Sequence, residues 1–387
     1  MTAQAAARGI RELDPEGSIA MLSAEQHRPY ARPPHTKKLW AGKPESSIWL
    51  EEVPGVAFLP SRTMVTLDRN AREVVDDRGE RHGYERLLLA TGGSPRLLPW
   101  RDERIIHFRT LDDFRRVHGA VAAGTRRITV VGGGFIGSEM AASLASQGAE
   151  VTMIFPEANV CARAFPDDLA AFVTSYYRAK GVAVWTGDTL ADVSARPDGL
   201  SLRSSGGREL RADLVVAGIG ITPNVQLAQA AGLAVGDGIE VDAGLRTSDP
   251  SIWAAGDVAS FVSSALEKRV RVEHEDNALT MGRFAGRSMA GDAVTYDYLP
   301  FFYSDLFDLG YEAVGELDAR HEVVSSWKRP FREGVVFFLA GGRVRGVLLW
   351  NVWGQVEAAR TLIRDERAAT KREALALPGA PGAASPG

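Results

Sequence analysis

The stretch Ile128-Thr-Val-Val-Gly-Gly-Gly-Phe-Ile-Gly-Ser-Glu139 constrains this chain most. It reads as a strand, a glycine turn and a helix start, and it fits G-x-G-x-x-G at Gly132, Gly134 and Gly137. A lone motif of this kind is weak; here its context is complete. A β-branched strand precedes it, and a helix follows with Ile136, Met140, Ala141, Leu144 and Ala145 as its apolar positions. A second strand, Glu150–Phe155, closes a βαβ unit of about thirty residues. Gly132 makes the turn, Gly134 lets a pyrophosphate approach the backbone, and Gly137 lets helix pack on strand. The helix N-terminus then presents unpaired N–H groups and partial positive charge to the phosphates. The motif predicts a dinucleotide site, against the blander reading of a glycine turn in an ordinary α/β fold.

Bulk properties narrow the class. A chain of 387 residues predicts two or three domains. A net charge of −4 with dispersed basic residues gives no footprint for nucleic acid. Cys161 is the only cysteine, so there is neither a disulfide framework nor a redox-active pair. No apolar run is long enough to span a membrane. The N-terminus lacks a hydrophobic signal region and a cleavage site, so the expectation is a cytoplasmic protein; no metal-binding residues are expected.

Along the chain, residues 1–13 read as a helix ended by Asp14-Pro-Glu-Gly17, and Ser18–Leu22 as a strand. Arg28–Pro34 is stiff loop, followed by a short helix through Trp40. Residues 55–90 read as short strands ending in the apolar run Leu87–Ala90, which Thr91-Gly92-Gly93 breaks. A helix is expected near Asn277–Ala290. Beyond 299 the pattern becomes antiparallel, with a hairpin at Gly341-Gly342 and an amphipathic helix using Val356, Ala359, Leu362 and Ile363. From Pro378 the tail is Pro, Gly, Ala and Ser, and residues 375–387 are expected to be disordered.

The second strong signal is Thr247-Ser-Asp-Pro-Ser-Ile-Trp-Ala-Ala-Gly-Asp257, a short strand running into Gly256 and Asp257. Open α/β sheets place ligands at such strand ends. Together with Leu87–Gly93 it resembles the two-dinucleotide flavoprotein family of pyridine-nucleotide-dependent reductases. Arg32-Pro-Pro-His-Thr-Lys-Lys-Leu-Trp40, Gly132–Glu139, Phe155-Pro-Glu157, Gly220-Ile-Thr-Pro-Asn224, Val272-Glu-His274 and Tyr303-Ser-Asp-Leu306 narrow the resemblance. They are similar to the apoptosis-inducing-factor type and its short bacterial relatives, with ferredoxin reductases of oxygenase systems as cousins. The similarity runs from residue 1 to about 370.

The resemblance implies FAD and NADH as cofactors. It places Lys37 near flavin N5 and pairs it with Glu139. Arg32 and Arg109 would contact the flavin and its phosphates, Val65 the flavin adenine, and Thr91, Gly92, Gly256 and Asp257 the rest of the FAD. Phe135 would lie against the nicotinamide and move when NADH docks, beside Ile136 and Gly220. Glu273 and His274 would line the flavin face, and Tyr303 would stack where the family carries Trp. Lys37, Glu139, Phe135 and His274 are the catalytic candidates. Glu157 can accept from a ribose 2′-OH and repel a 2′-phosphate, which favours NADH over NADPH; Arg163 opposes that preference.

Three departures stand out. The family begins with a strand and a first glycine loop, whereas Met1 falls inside that motif with Ala3 at its third small position. The expectation is that Met1 is an internal methionine, and that FAD binding depends on the residues upstream. The ribose-binding acid aligns with Ala24, Glu25 being one place late. His35 replaces an apolar residue beside Lys37.

The expected fold class is α/β: two Rossmann-like dinucleotide-binding domains plus a C-terminal α+β domain. The FAD domain is expected over 1–103 and 225–298, the NAD domain over 104–224 and the C-terminal domain over 299–374. The expected activity is an FAD-dependent NADH oxidoreductase passing electrons to a ferredoxin, a quinone or oxygen. An NADH-sensing redox switch with a dimer state, and an FAD-deficient remnant, are the alternatives.

Overall fold

The computed structural model describes residues 1–365, and these fall into two compact units. One comprises Met1–Arg32, Glu45–Ser94 and Thr222–Phe301; the other comprises Pro33–Pro44, Pro95–Ile221 and the chain from Phe302 onward. The tail expected to be disordered lies outside the described residues.

In the first unit, Thr2–Arg11 is helical and buries Gln4, Ala5, Ala6, Ala7 and Gly9, a small-residue face that lies against the helix Glu275–Met289. Asp14 ends this segment, its carboxylate accepting from the N–H groups of Glu16 and Gly17. Two parallel pairs form two-stranded sheets, Ile19–Leu22 with Val56–Leu59 and Leu87–Leu89 with Ile252–Ala254, and Gly238–Glu240 runs parallel to Ala259–Ser263 in a four-stranded one. The core gathers Leu89, Ile239, Ile252, Trp253, Phe261 and Met281. The Trp253 indole N–H donates to Ser288, whose hydroxyl donates to the Gly244 carbonyl.

The second unit holds a five-stranded parallel sheet in the order Ala183–Thr186, Glu150–Phe155, Arg127–Val131, Leu214–Ala217, Ile105–His107. Its central strands are buried almost throughout, as a sheet covered on both faces requires. The helix Leu111–Ala122 starts in a capping box between Thr110 and Asp113. An antiparallel five-stranded sheet follows beyond residue 300, with the hairpin turning at Gly341 and Gly342. Tyr311 stacks on Trp350 at 5.7 Å, and Phe165 meets both edge-on. The helix Val356–Arg364 buries Ala359 and Ile363, and Arg360 with them.

The sequence predicts a short helix through Trp40. The chain instead makes one 3₁₀ turn, Pro33–Thr36, and continues in turns. The Lys37 and Leu39 N–H groups both reach the Pro34 carbonyl and the Trp40 N–H reaches the Lys37 carbonyl, bonds to the third and fifth residue back in place of a regular i→i−4 ladder. The Trp40 indole N–H donates to the His35 carbonyl and closes the segment.

Candidate functional site

In the second unit the glycine turn is shaped by contact. Gly132 has φ +117°, and a Cβ there would stand 2.3 Å from the Gly218 carbonyl oxygen. A Cβ on Gly137 would stand 2.0 Å from the Gly132 carbonyl oxygen, so only glycine lets the helix Phe135–Ser146 sit this close to its strand. Around Gly134 the space is open, and no side chain caps the helix start. Exposed backbone N–H groups at an uncapped helix N-terminus suit a phosphate. Ile136 is 42% exposed beside this opening. Phe135 packs on Phe302 at 5.0 Å.

One turn along the same helix, Glu139 is buried against Lys37, Nζ to Oε1 2.6 Å, with side chains 4% and 6% exposed. Two hydroxyls complete the carboxylate: Ser304 Oγ at 2.5 Å from Oε1 and Thr36 Oγ1 at 2.5 Å from Oε2. Ser143 donates to the Thr36 carbonyl and Gln147 to the Trp40 carbonyl, docking the Pro33–Pro44 segment on the helix. The Lys37 ammonium also lies 5.3 Å above the Tyr303 ring. Burial pushes the neighbouring Asp305 carboxyl up, against the pull of Lys37. Sequence reasoning gave no role to Thr36 or Ser304. The available signal was that a buried ion pair needs further donors, and both hydroxyls lie in quoted motifs.

At the end of the strand Glu150–Phe155, Glu157 pairs with Arg163 at 2.7 Å. Gly220 is exposed with φ +87°. The Arg109 backbone N–H donates to Asp113, placing Arg109 at the entrance to the helix Leu111–Ala122.

In the first unit, Glu25 and Asp257 both lie within electrostatic range of Arg32. Glu25 accepts from both Arg32 and the Tyr30 hydroxyl. Burial works against its ionisation, but Arg32 and Tyr30 outweigh burial and hold the carboxyl below its usual range. Burial lowers His274 to about 4, against the attraction of Asp257. Gly256 has φ +78°, and a Cβ there would strike the Thr2 hydroxyl at 2.4 Å. Glu273 pairs with Arg271, whose guanidinium also donates to the Asp257 carbonyl. Thr91 and Asn224 exchange hydrogen bonds, and the Gly92 carbonyl accepts from the Asn224 N–H. Val65 is 57% exposed on the strand Met64–Asp68. A guanidinium for planar and anionic groups, with carboxylates for hydroxyls, fits the polar chain of a flavin dinucleotide.

The residues from the sequence thus divide. Lys37, Arg109, Gly132, Gly134, Phe135, Ile136, Gly137, Glu139, Glu157, Gly220 and Tyr303 belong to one unit; Arg32, Val65, Thr91, Gly92, Gly256, Asp257, Glu273 and His274 belong to the other. Among the described residues, two carboxylate–histidine groups lie elsewhere, Asp76/Glu80/His82 and Glu316/Asp318/His321. Each already holds a cation: Arg62 contacts Asp76 and Glu80, and Arg320 contacts Asp318.

The family model described as pyridine nucleotide-disulphide oxidoreductase matches residues 2–282. The chain belongs to this family. A second model, the C-terminal part of apoptosis-inducing factor, matches residues 325–365 of this oxidoreductase. Apoptosis-inducing factor 1, mitochondrial, of Dictyostelium discoideum is 32% identical over 92% of the chain and 75% of its own length. Putidaredoxin reductase of Pseudomonas putida is 31% identical over 92% of the chain and 88% of its own length. Among solved structures, putidaredoxin reductase in its covalent complex with putidaredoxin superposes with a TM-score of 0.88 and 30% identity, covering 95% of this chain and 91% of that one. The oxidoreductase is therefore a flavoprotein of α/β fold that uses FAD and a nicotinamide nucleotide. Cys161 is the only cysteine of the sequence and is buried, so the sequence holds no cysteine pair. Among the described residues, no helix is long and apolar enough to cross a membrane.

Proposed function

We propose that this oxidoreductase takes hydride from NADH and passes electrons to a ferredoxin-type acceptor. The buried Lys37–Glu139 pair carries the reading. An ammonium held by a carboxylate with two further donors is a fixed positive charge, the kind of preorganised group that stabilises developing negative charge. FAD, when bound, supplies the step between a two-electron donor and one-electron acceptors. Lys37 offers its charge to the reduced cofactor. The uncapped start of Phe135–Ser146 and the open space at Gly134 receive the nucleotide pyrophosphate. Glu157 accepts from the adenosine ribose and selects NADH. Arg32 and Asp257 orient the flavin's phosphate and hydroxyl groups. The ferredoxin reading is supported by the two putidaredoxin reductase comparisons. Anaerobic titration of the FAD-loaded protein with NADH and NADPH, followed by an iron–sulfur ferredoxin, tests it. Bleaching by NADH and rapid return of the flavin band with ferredoxin are expected. No bleaching by either nucleotide overturns the reading.

The match at residues 325–365 favours a second reading, an NADH-sensing switch of the apoptosis-inducing-factor type. A reduced complex that persists in air for many minutes, with a change in dimer state, would select it.

A further inference from the structure

We propose that Thr36 and Ser304 are positioning residues that hold the Glu139 carboxylate as an anion and so keep the Lys37 ammonium charged and in one place. The inference rests on the proposed role of Lys37 and extends it to two residues with no assigned part. A desolvated carboxylate and ammonium in contact have an alternative: the proton moves across and both become neutral, which removes the cost of two buried charges. What decides between the states is which one the surroundings hydrogen-bond.

Here the surroundings are donors. Glu139 Oε1 faces Lys37 Nζ at 2.6 Å and Ser304 Oγ at 2.5 Å, and Oε2 faces Thr36 Oγ1 at 2.5 Å. Thr36 Oγ1 also lies 3.2 Å from the Pro33 carbonyl. One hydroxyl proton serves one acceptor, and the shorter contact, to the carboxylate, is the charge-assisted one. Ser304 is 1% and Thr36 4% exposed, so water does not replace either hydroxyl. The two come from separate segments, the 3₁₀ turn Pro33–Thr36 and the strand Phe301–Leu306, and grip the carboxylate from both oxygens. Ser143 fixes the Thr36 backbone, so this grip is itself held. Lys37 is thereby aimed by a carboxylate that cannot rotate without breaking two further bonds.

The test compares the FAD-loaded full chain with Ser304→Ala, Thr36→Val and their combination, and with the hydroxyl-keeping variants Ser304→Thr and Thr36→Ser. Infrared difference spectra, with Glu139→Gln to identify the band, read the carboxyl directly at neutral pH. The double variant is expected to show a protonated-carboxyl band that the parent and the hydroxyl-keeping variants lack. Flavin reduction by NADH is expected to slow about tenfold for each hydroxyl lost, the weight of one hydrogen bond to a charged group, and to recover in Ser304→Thr. A protonated band already present in the parent, or its absence from the double variant, overturns the proposal. Should Ser304→Ala not fold, Thr36→Val carries the same readout alone. If the parent flavin is not reduced by NADH, the proposed function fails while the infrared result still decides the hydroxyl grip.

Discussion

The Arg163 guanidinium lies 2.7 Å from the Glu157 carboxylate, with Arg163 86% and Glu157 25% exposed. The acid that would accept from a ribose 2′-OH is thus held by a cation free to swing toward solvent. A 2′-phosphate would draw Arg163 off Glu157 and lose less than Glu157 alone would impose. Glu157→Gln is expected to raise kcat/KM for NADPH about tenfold, and Arg163→Ala to lower NADPH use while sparing NADH; one charged hydrogen bond is worth about that factor. Steady-state kinetics with both nucleotides checks it.

Glycine spacing hides two different physical demands. Gly137→Ala forces a Cβ to 2.0 Å from the Gly132 carbonyl oxygen, so a loss of about 1–3 kcal/mol is expected in urea unfolding, as for an overpacked core. Gly134→Ala meets open space and a β-region backbone, so its midpoint should stay put. Its cost is expected in the NADH KM, where a methyl obstructs the pyrophosphate.

Breaking the buried ion pair from one side leaves a lone charge. Lys37→Met and Glu139→Leu are each expected to cost about 3–5 kcal/mol, and the double variant to recover most of it. A double-mutant cycle by chemical denaturation measures this. Stability restored without flavin reduction would separate structural from chemical roles.

Burial lowers His274 to about 4 from 6.5, against the attraction of Asp257. The unfolded imidazole therefore takes its proton first. Between pH 6.5 and about 4 the unfolded chain binds more protons, so stability falls as pH falls through that window, by up to about 3 kcal/mol. His274→Gln is expected to flatten this part of the stability–pH curve, read from thermal midpoints.

Burial pushes the Cys161 thiol up to about 12. A thiol-specific reagent is expected to leave the native protein untouched at pH 8 and to modify one group per chain after denaturation. Rapid native reaction would contradict the buried placement.

Hydrophobic periodicity and turn chemistry made much of the architecture legible. The βαβ unit, the hairpin at Gly341-Gly342 and the helix closing the described chain are local patterns, and each formed close to its sequence limits. The segment through Trp40 differs from the expected helix because its hydrogen bonds run as successive turns, closed by the Trp40 indole on the His35 carbonyl. Lys37 and Glu139 were paired by resemblance, whereas Thr36 and Ser304 carried no signal of their own, since a hydroxyl in sequence reads as solvated.

By itself, the sequence determined the glycine turn and the class of fold, because those follow from backbone freedom and side-chain period. Only the tertiary structure decided that Pro33–Pro44 belongs with the helix Phe135–Ser146 and that two hydroxyls from separate segments close on Glu139. The reason is distance along the chain. Contacts between residues more than a hundred positions apart are set by how whole elements pack, and no local pattern records which side chain will arrive.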